Sequence, residues 1–144
     1  VDDLHERVGS KNVIHLHGEL RKVRSTVYEN LIYDWDADLK LGDLCGKNFQ
    51  LRPHIVWFGE AVPNLTIAEE ITKTADILII IGTSMQVYPA ANLIYAVKNK
   101  TPIYFIDPKP NISENHFENL TIIAESATLG MEKLYKLLVS NFIS

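Results

Sequence analysis

Polar side chains with catalytic potential stand at the ends of predicted strands. His17 ends the short β-branched segment 12–18, Gly82-Thr83-Ser84 follows the apolar run 77–81, and Asp107 ends the next predicted strand. Ligands bind outside the carboxyl ends of the strands in open α/β sheets, so all three positions are candidates for a binding site. An imidazole with an unperturbed pKa of about 6.5 suits a general base. A glycine with two hydroxyls lets a ribose or phosphate approach the backbone.

Each of these residues also has an ordinary structural explanation. A strand-end histidine is more often a satisfied polar group than a catalyst, Gly-Thr-Ser also forms simple turns, and Asp107 precedes a proline as turn aspartates do. His15 and His17 share a face of the predicted strand, yet nothing nearby in the sequence supplies a third metal ligand. The sequence lacks Gly-x-Gly-x-x-Gly, so any pyrophosphate cradle must come from another segment.

Two further patterns are excluded as sites. Asp34, Asp36 and Asp38 have the spacing of calcium-loop ligands. The sixth and twelfth loop positions are Leu39 and Cys45, where such a loop needs glycine and glutamate, so we interpret the acids as a solvated surface. The one cysteine excludes an intrachain disulfide and a multi-thiolate zinc site, and it is interpreted as a structural thiol.

Composition places the chain among ordinary globular proteins. Its 144 residues are 47% apolar and 22% charged, with a net charge of -4, which excludes general disorder and argues against a nucleic-acid partner held by phosphate neutralisation. The longest apolar run, Ile77–Ile81, is too short to span a membrane, and no signal-peptide pattern opens the chain. We therefore expect a soluble, cytoplasmic protein without a membrane partner.

Strand and helix signals alternate along the second half of the sequence. Strands are predicted at 12–18, 54–58, 77–81, 102–107 and 120–124, and helices after Thr66, after Pro89 and near the end of the chain. The alternation from 54 to 107 predicts βαβ units and an α/β fold, a Rossmann-like parallel sheet with helices on both faces. The run 77–81 is predicted to be buried on both faces.

The segment 19–51 fits none of this alternation and predicts a small inserted subdomain. The predicted domains are thus 1–18 with 52–144, forming the sheet, and 19–51 as the insert. The basic patch Arg21, Lys22 and Arg24 is interpreted as solvated. The chain begins without Met and a helical turn follows at once, so we expect a longer protein with the first βα units upstream.

Four ordered blocks together resemble the sirtuin family. They are DDLHERVG at 2–9, VIHLHG at 13–18, RPHIVWFGE at 52–60 and GTSMQVYPAA at 82–91. The resemblance covers nearly the whole chain but only about the second half of the family's catalytic domain. It implies an NAD-dependent protein-lysine deacylase of the short bacterial type. The missing N-terminal half of the domain is then an expected partner, and this piece alone is expected to be inactive.

The resemblance also implies roles for individual residues. His17 matches the family's general base on a nicotinamide-ribose hydroxyl, in a reaction that moves the acyl group of acyl-lysine to ADP-ribose and releases nicotinamide. The implied cofactor-binding residues are Asp2, Gly82, Thr83, Ser84, Asp107, Pro108, Lys109, Ser126 and Ala127. The peptide would bind as an added strand between two walls, formed by Val56, Phe58, Gly59 and Glu60 on one side and by Gln86, Val87 and Tyr88 on the other.

The sequence departs from the family pattern in the inserted segment and at Asp107. The family usually carries four zinc cysteines in the inserted segment, whereas this chain has Cys45 alone, so no zinc is expected. Packing must then hold the insert together, with Tyr28, Tyr33, Trp35 and Leu41 as the expected anchors. Asp107 stands where asparagine is commoner; its carboxylate still accepts from ribose hydroxyls but repels nearby phosphate.

A non-catalytic alternative shares several of these features. A nucleotide-binding or regulatory α/β domain, such as the central domain of thiamine-diphosphate enzymes, also places Gly-Thr-Ser turns at strand ends. It has no need of the His17-Gly18 pair or of the two facing walls.

Overall fold

The computed structural model describes residues 1–113 and 117–143. The chain forms two compact units, Val1–Leu65 and Thr66–Ser144. Within the described ranges, no helix has the length and apolar character that crossing a membrane requires. The predicted division into 1–18 with 52–144 and a 19–51 insert stays a prediction.

The first unit is built on an antiparallel sheet. A short helix, α1 (Leu4–Arg7), precedes strands β1 (Gly18–Ser25), β2 (Ile32–Asp34) and β3 (Leu51–Ile55), which lie in the order β2-β1-β3. A buried cluster of Val23, Cys45 and Leu51 forms its core, and Leu31, Trp35 and Leu39 pack against this cluster.

Two strand predictions in this unit were wrong in position. The predicted strand 12–18 is a loop and turn that reach the sheet only at Gly18, and β1 continues from there into the segment predicted as an insert. The strand predicted at 54–58 is β3, which pairs antiparallel with β1 and so does not belong to the parallel sheet. A short apolar pattern marks a strand without revealing its partner, and the partner is set by tertiary pairing.

Hydrogen bonds to side chains hold the 39–51 loop. The Gln50 amide donates to the carbonyls of Lys40, Asp43 and Leu51 at 3.0–3.2 Å and accepts from the Gly42 N–H at 2.9 Å. Leu41, predicted as an anchor, is wrong in that role because it is 96% exposed. The sequence pattern did not single out Gln50, whose role depends on four backbone groups that come together only in the folded loop.

The second unit contains the predicted parallel sheet. Its elements are α2 (Leu65–Lys73), β4 (Leu78–Ile81), a 3-10 helix (Ala90–Ala96), β5 (Ile103–Ile106), β6 (Leu120–Ile123) and α3 (Ala127–Ile143). The strands lie in the order β4-β5-β6, with all neighbours parallel. This arrangement confirms the predicted α/β class.

Helices cover both faces of β5. Ile103 and Phe105 pack with Ile94 of the 3-10 helix, whereas Tyr104 and Ile106 pack with Leu134 of α3. Alternate strand residues point to opposite faces, so the continuous apolar run of β5 is buried on each side.

The same burial was predicted for β4 and is wrong on one face. Ile79 and Ile81 are 37% and 41% exposed, while Leu78 and Ile80 pack against the cluster beneath the 3-10 helix. The strand β4 lies at one end of the order β4-β5-β6, whereas α3 packs over the central strand β5. The helix therefore leaves Ile79 and Ile81 of β4 partly uncovered.

Close packing of α3 on β5 predicts a cost for adding one methyl group. A Cβ on Gly130 would lie 2.2 Å from Cγ2 of Ile106, so Gly130→Ala must displace the helix or the strand. We expect a loss of about 1–3 kcal/mol of unfolding free energy, which exceeds the gain in helix propensity of about 1 kcal/mol. Urea denaturation of the natural protein that contains this sequence measures it.

Gly46→Ala is the matched control, because its Cβ would meet the Tyr33 hydroxyl at an ordinary 3.7 Å. Equal stability of both variants would show that α3 does not need a glycine at this contact.

Candidate functional site

The backbone of His17 is held where β1 meets β3. Leu16 and His17 form a turn, and the His17 carbonyl accepts the Val56 N–H at 3.0 Å. Gly18 has a φ of +86°, and a Cβ there would lie 2.0 Å from the His54 carbonyl oxygen. Only glycine permits both this conformation and this approach, so Gly18 determines where the His17 turn lies. The imidazole of His17 is partly exposed.

A second histidine ties the N-terminal helix to the same turn. Nε2 of His15 lies 2.6 Å from Oε1 of Glu6 on α1, and the His15 carbonyl accepts from the Asn64 side chain at 3.0 Å. Hydrogen bonds from its own backbone N–H and from His15 lower the pKa of Glu6 below its ordinary value. On the predicted strand, His15 and His17 would have shared one face as possible metal ligands. In the structure the His15 ring contacts the Glu6 carboxylate instead.

The side chain of Asp2, the residue before the N-cap Asp3, accepts a hydrogen bond from the start of α1. Its Oδ1 accepts the Leu4 N–H at 3.1 Å. This backbone hydrogen bond is the largest cause holding the pKa of Asp2 below its ordinary value of 3.8. The Val1 carbonyl accepts the Leu20 N–H at 2.8 Å, which attaches this end of the chain to β1.

The loop after β3, residues 56–60, carries the first predicted substrate wall. Trp57 and Glu60 close it: the Glu60 N–H donates to the Trp57 carbonyl at 3.0 Å, and Oε2 of Glu60 accepts the Trp57 N–H at 2.9 Å. Phe58 is 95% exposed, and Gly59 has a φ of +86° with open space around it. The loop therefore presents Phe58 and Gly59 outward from a closed base.

Glu60 is also bound by two arginines. Nη1 and Nη2 of Arg52 donate to its two oxygens at 2.6 and 3.1 Å, and Nη2 of Arg24 lies 3.5 Å from Oε2. The Arg52 guanidinium stacks 3.9 Å from the Trp57 ring centroid. The Arg52 hydrogen bonds, followed by the Trp57 N–H, lower the pKa of Glu60 from an ordinary 4.5 to about 2.

Sequence reasoning missed these partners of Glu60. It interpreted Arg24 as part of a solvated patch, which is wrong because Arg24 is 9% exposed. Arg52 and Glu60 are the first and last charged residues of one recognised block, but their spacing of eight residues across a strand and a loop does not predict that they pair. Nothing in the sequence indicated that Arg24, on a different strand, reaches the same carboxylate.

In the second unit, three predicted cofactor segments follow three adjacent strands. Gly82 comes directly after β4, Asp107 after β5 and Ser126 soon after β6. The strands are parallel and pair Ile81 with Ile106, so these segments share the carboxyl edge of the sheet.

Hydrogen bonds fix the backbone at this edge. The Gly82 N–H donates to the Ile106 carbonyl at 2.9 Å, and Oγ1 of Thr83 accepts the Met85 N–H at 3.2 Å. Oδ1 of Asp107 accepts the Lys109 N–H at 2.7 Å, which orients the carboxylate and leaves it further lone pairs for a ligand. Gly82 has a φ of +63° and no atom within 4 Å of a Cβ position, which leaves room for a ribose or phosphate against the backbone. Four further predicted cofactor-binding residues that adjoin these turns in sequence are exposed: Ser84, Pro108, Ser126 and Ala127.

The second predicted wall, Gln86, Val87 and Tyr88, is exposed and precedes the 3-10 helix. The Val87 carbonyl accepts the Ala91 N–H at 3.0 Å. Tyr88 lines a cleft of about 450 Å³. The other residues that line this cleft are Met85, Ala91, Ile94, Tyr95 and 110–113.

Across residues 1–113 and 117–143, no three His, Cys, Asp or Glu side chains gather as metal ligands. Cys45 is buried in the first unit's core, with a hydrogen bond from Ser25 as the main cause that lowers the pKa of its thiol. The expectation that the protein binds no zinc stays a prediction.

The Glu60 ion pairs predict an acid-sensitive contribution to stability. The pKa of Glu60 falls to about 2 on folding from 4.5, so its charged form stabilises the protein above pH 4.5 and this contribution is lost as the pH falls towards 2. Unfolding free energies measured from pH 6 to pH 2 should fall more steeply for the wild type than for Glu60→Gln. Asp36→Asn, at the exposed Arg21–Asp36 pair, is the control and should follow the wild type. Parallel curves for wild type and Glu60→Gln would contradict the prediction.

Comparisons with known proteins identify the family of this chain. A model of the Sir2 family matches residues 1–89. An NAD-dependent protein deacylase of Helicobacter pylori (strain ATCC 700392 / 26695) is 52% identical over 139 residues, which are 96% of this chain and 60% of the relative. The chain thus spans about 60% of the length of that curated relative.

Solved structures show the same likeness. A Sir2 homologue in complex with NAD superposes with a TM-score of 0.78 at 35% identity, covering 96% of this chain and 56% of that one. A Sir2 complex with a p53 peptide and NAD+ gives a TM-score of 0.70 at 26% identity, covering 99% and 60%. These matches confirm the resemblance first read from the four sequence blocks, and the chain belongs to the Sir2 family.

Proposed function

We propose that the protein containing this chain is an NAD-dependent protein-lysine deacylase. The observation that carries the proposal is the alignment of Gly82, Asp107 and Ser126 at one carboxyl edge of three parallel strands in a Sir2 chain. In open α/β sheets this edge binds nucleotides. The relatives are named NAD-dependent protein deacylases, and one solved relative holds NAD.

The second unit supplies the groups that would hold the cofactor. Gly82 offers a bare backbone, Ser84 an exposed hydroxyl and Asp107 a carboxylate oxygen for ribose hydroxyls. NAD, when bound, supplies a ribose carbon with nicotinamide as its leaving group and so accepts the acyl oxygen. The Asp107 carboxylate favours sugar hydroxyls over phosphate, because it repels a like charge.

The first unit supplies the base and part of the substrate surface. His17 is the residue that would take a proton from a ribose hydroxyl, and its fixed backbone limits where the ring can swing. The 56–60 loop presents main-chain groups and exposed Phe58 to an extended acyl-lysine peptide. Recognition through the backbone predicts tolerance of different sequences around the lysine. The solved complex with a p53 peptide supports a protein substrate.

Replacing His17 is the decisive test. His17→Ala should lower turnover of NAD with an acetyl-lysine peptide by about 10²- to 10⁴-fold, because the proton acceptor is lost while the cofactor-binding edge is intact. Mass spectrometry of O-acetyl-ADP-ribose measures the reaction, and calorimetry with NAD measures binding. The test uses this chain and its longest natural form, since the curated relative is longer.

His5→Ala is the matched control, because this exposed imidazole contacts Ser10 and is not one of the predicted site residues. Its turnover should equal that of the wild type. A folded, NAD-binding natural protein that forms no acyl-ADP-ribose from acetyl, acidic or long-chain acyl peptides would refute the deacylase and leave a nucleotide-binding role.

A further inference from the structure

We propose that Arg24, Arg52 and Glu60 form a positioning clamp that holds the 56–60 loop in the shape that receives the acyl-lysine peptide. This inference rests on the proposed function and deepens it. It assigns Glu60 an indirect role: Glu60 acts on the loop, and the loop acts on the substrate.

The geometry shows why Glu60 is occupied within the chain. Each of its oxygens accepts from Arg52, at 2.6 and 3.1 Å, and Oε2 also accepts the Trp57 N–H at 2.9 Å. Arg24 adds a contact at 3.5 Å to the same oxygen. A carboxylate with a bidentate arginine and a backbone donor has little capacity left for a ligand. Its chemistry therefore serves the loop.

Both sides of the loop are secured by the same group. Arg52 reaches Glu60 from β3, donates to the Ile55 carbonyl at 3.3 Å and stacks on the Trp57 ring. The residues between Trp57 and Glu60 have no such restraint, since Phe58 is 95% exposed and Gly59 has open space around it. The clamp thus rigidifies the base of the loop and leaves its tip available for contact.

The clamp is also connected to the proposed base. Val56, the first loop residue, donates its N–H to the His17 carbonyl at 3.0 Å, and the preceding Ile55 pairs with Gly18. A change in the loop base alters the hydrogen bond that holds the His17 turn. One cluster therefore controls the peptide surface and the backbone of the proposed base.

Charge makes the cluster sensitive to conservative changes. Two guanidinium groups share one carboxylate, and Arg24 is 9% exposed, so Glu60→Gln leaves two like charges close together with a neutral partner. Arg52→Lys keeps the charge but loses the two-pronged hydrogen bonding and the stacking on Trp57. If the clamp needs only the positive charge of Arg52, it survives Arg52→Lys. If it needs both guanidinium hydrogen bonds to Glu60, it does not.

The test measures kinetic constants separately for the two substrates in the longest natural form of the protein. Glu60→Gln and Arg52→Lys should each raise the KM for an acetyl-lysine peptide about tenfold, while the KM for NAD stays within about twofold. A merely structural defect lowers the active fraction and hence the apparent kcat, without changing one KM selectively. Asp36→Asn breaks the exposed pair between Asp36 and Arg21 of β1 and should change neither constant.

Hydrogen exchange supplies a readout that does not depend on activity. In both clamp variants the Val56 and Trp57 amides should exchange faster, while the Ile103 amide in the second unit should not change. Unchanged exchange in the loop would overturn the clamp, and faster exchange with an unchanged peptide KM would overturn its role in positioning substrate.

Failure of the proposed function gives a different pattern. An active wild type with unaltered variants refutes the clamp alone. A wild type that neither turns over nor binds the acetyl-lysine peptide refutes both the deacylase and the positioning of that peptide.

Discussion

The close approach of Gly18 to the His54 carbonyl is the constraint on which the first unit depends. A Cβ at this position would lie 2.0 Å from the carbonyl oxygen, so β1 and β3 can meet here only through glycine. This meeting point places the His17 carbonyl opposite the Val56 N–H and begins the pairing that continues along both strands. The proposed base and the proposed substrate loop therefore emerge from one backbone junction.

In the second unit, strand register positions the turns that follow β4, β5 and β6. Parallel pairing of Ile81 with Ile106, and of Ile106 with Ile123, brings the ends of β4, β5 and β6 to one edge. Packing on both faces of β5 holds this register, and Gly130 allows α3 to lie against Ile106. The turns proposed to bind the cofactor need no stability of their own, because they continue from strands that the core already fixes.

Polar clusters substitute for a larger core in the first unit. Its apolar cluster is small, and Gln50 satisfies four backbone groups of the 39–51 loop, whose Leu39, Cys45 and Leu51 belong to that cluster. Glu60 does the same for the 56–60 loop by binding Arg52, Arg24 and the Trp57 N–H. Both clusters order irregular backbone through directional bonds, which apolar packing alone does not provide.

The sequence alone determined the family, the α/β class and the three strands of the parallel sheet, since glycine-bounded blocks and apolar runs of β5 type are local signals. The four blocks also contain His17, Gly82 and both predicted substrate walls, whereas Asp107 and Ser126 lie outside them and were assigned through the family resemblance. Only the tertiary structure decided that β3 pairs antiparallel with β1, that Leu41 is exposed and that Arg24 reaches Glu60. These outcomes depend on contacts between residues far apart in the chain, and local periodicity carries no information about which distant groups will meet.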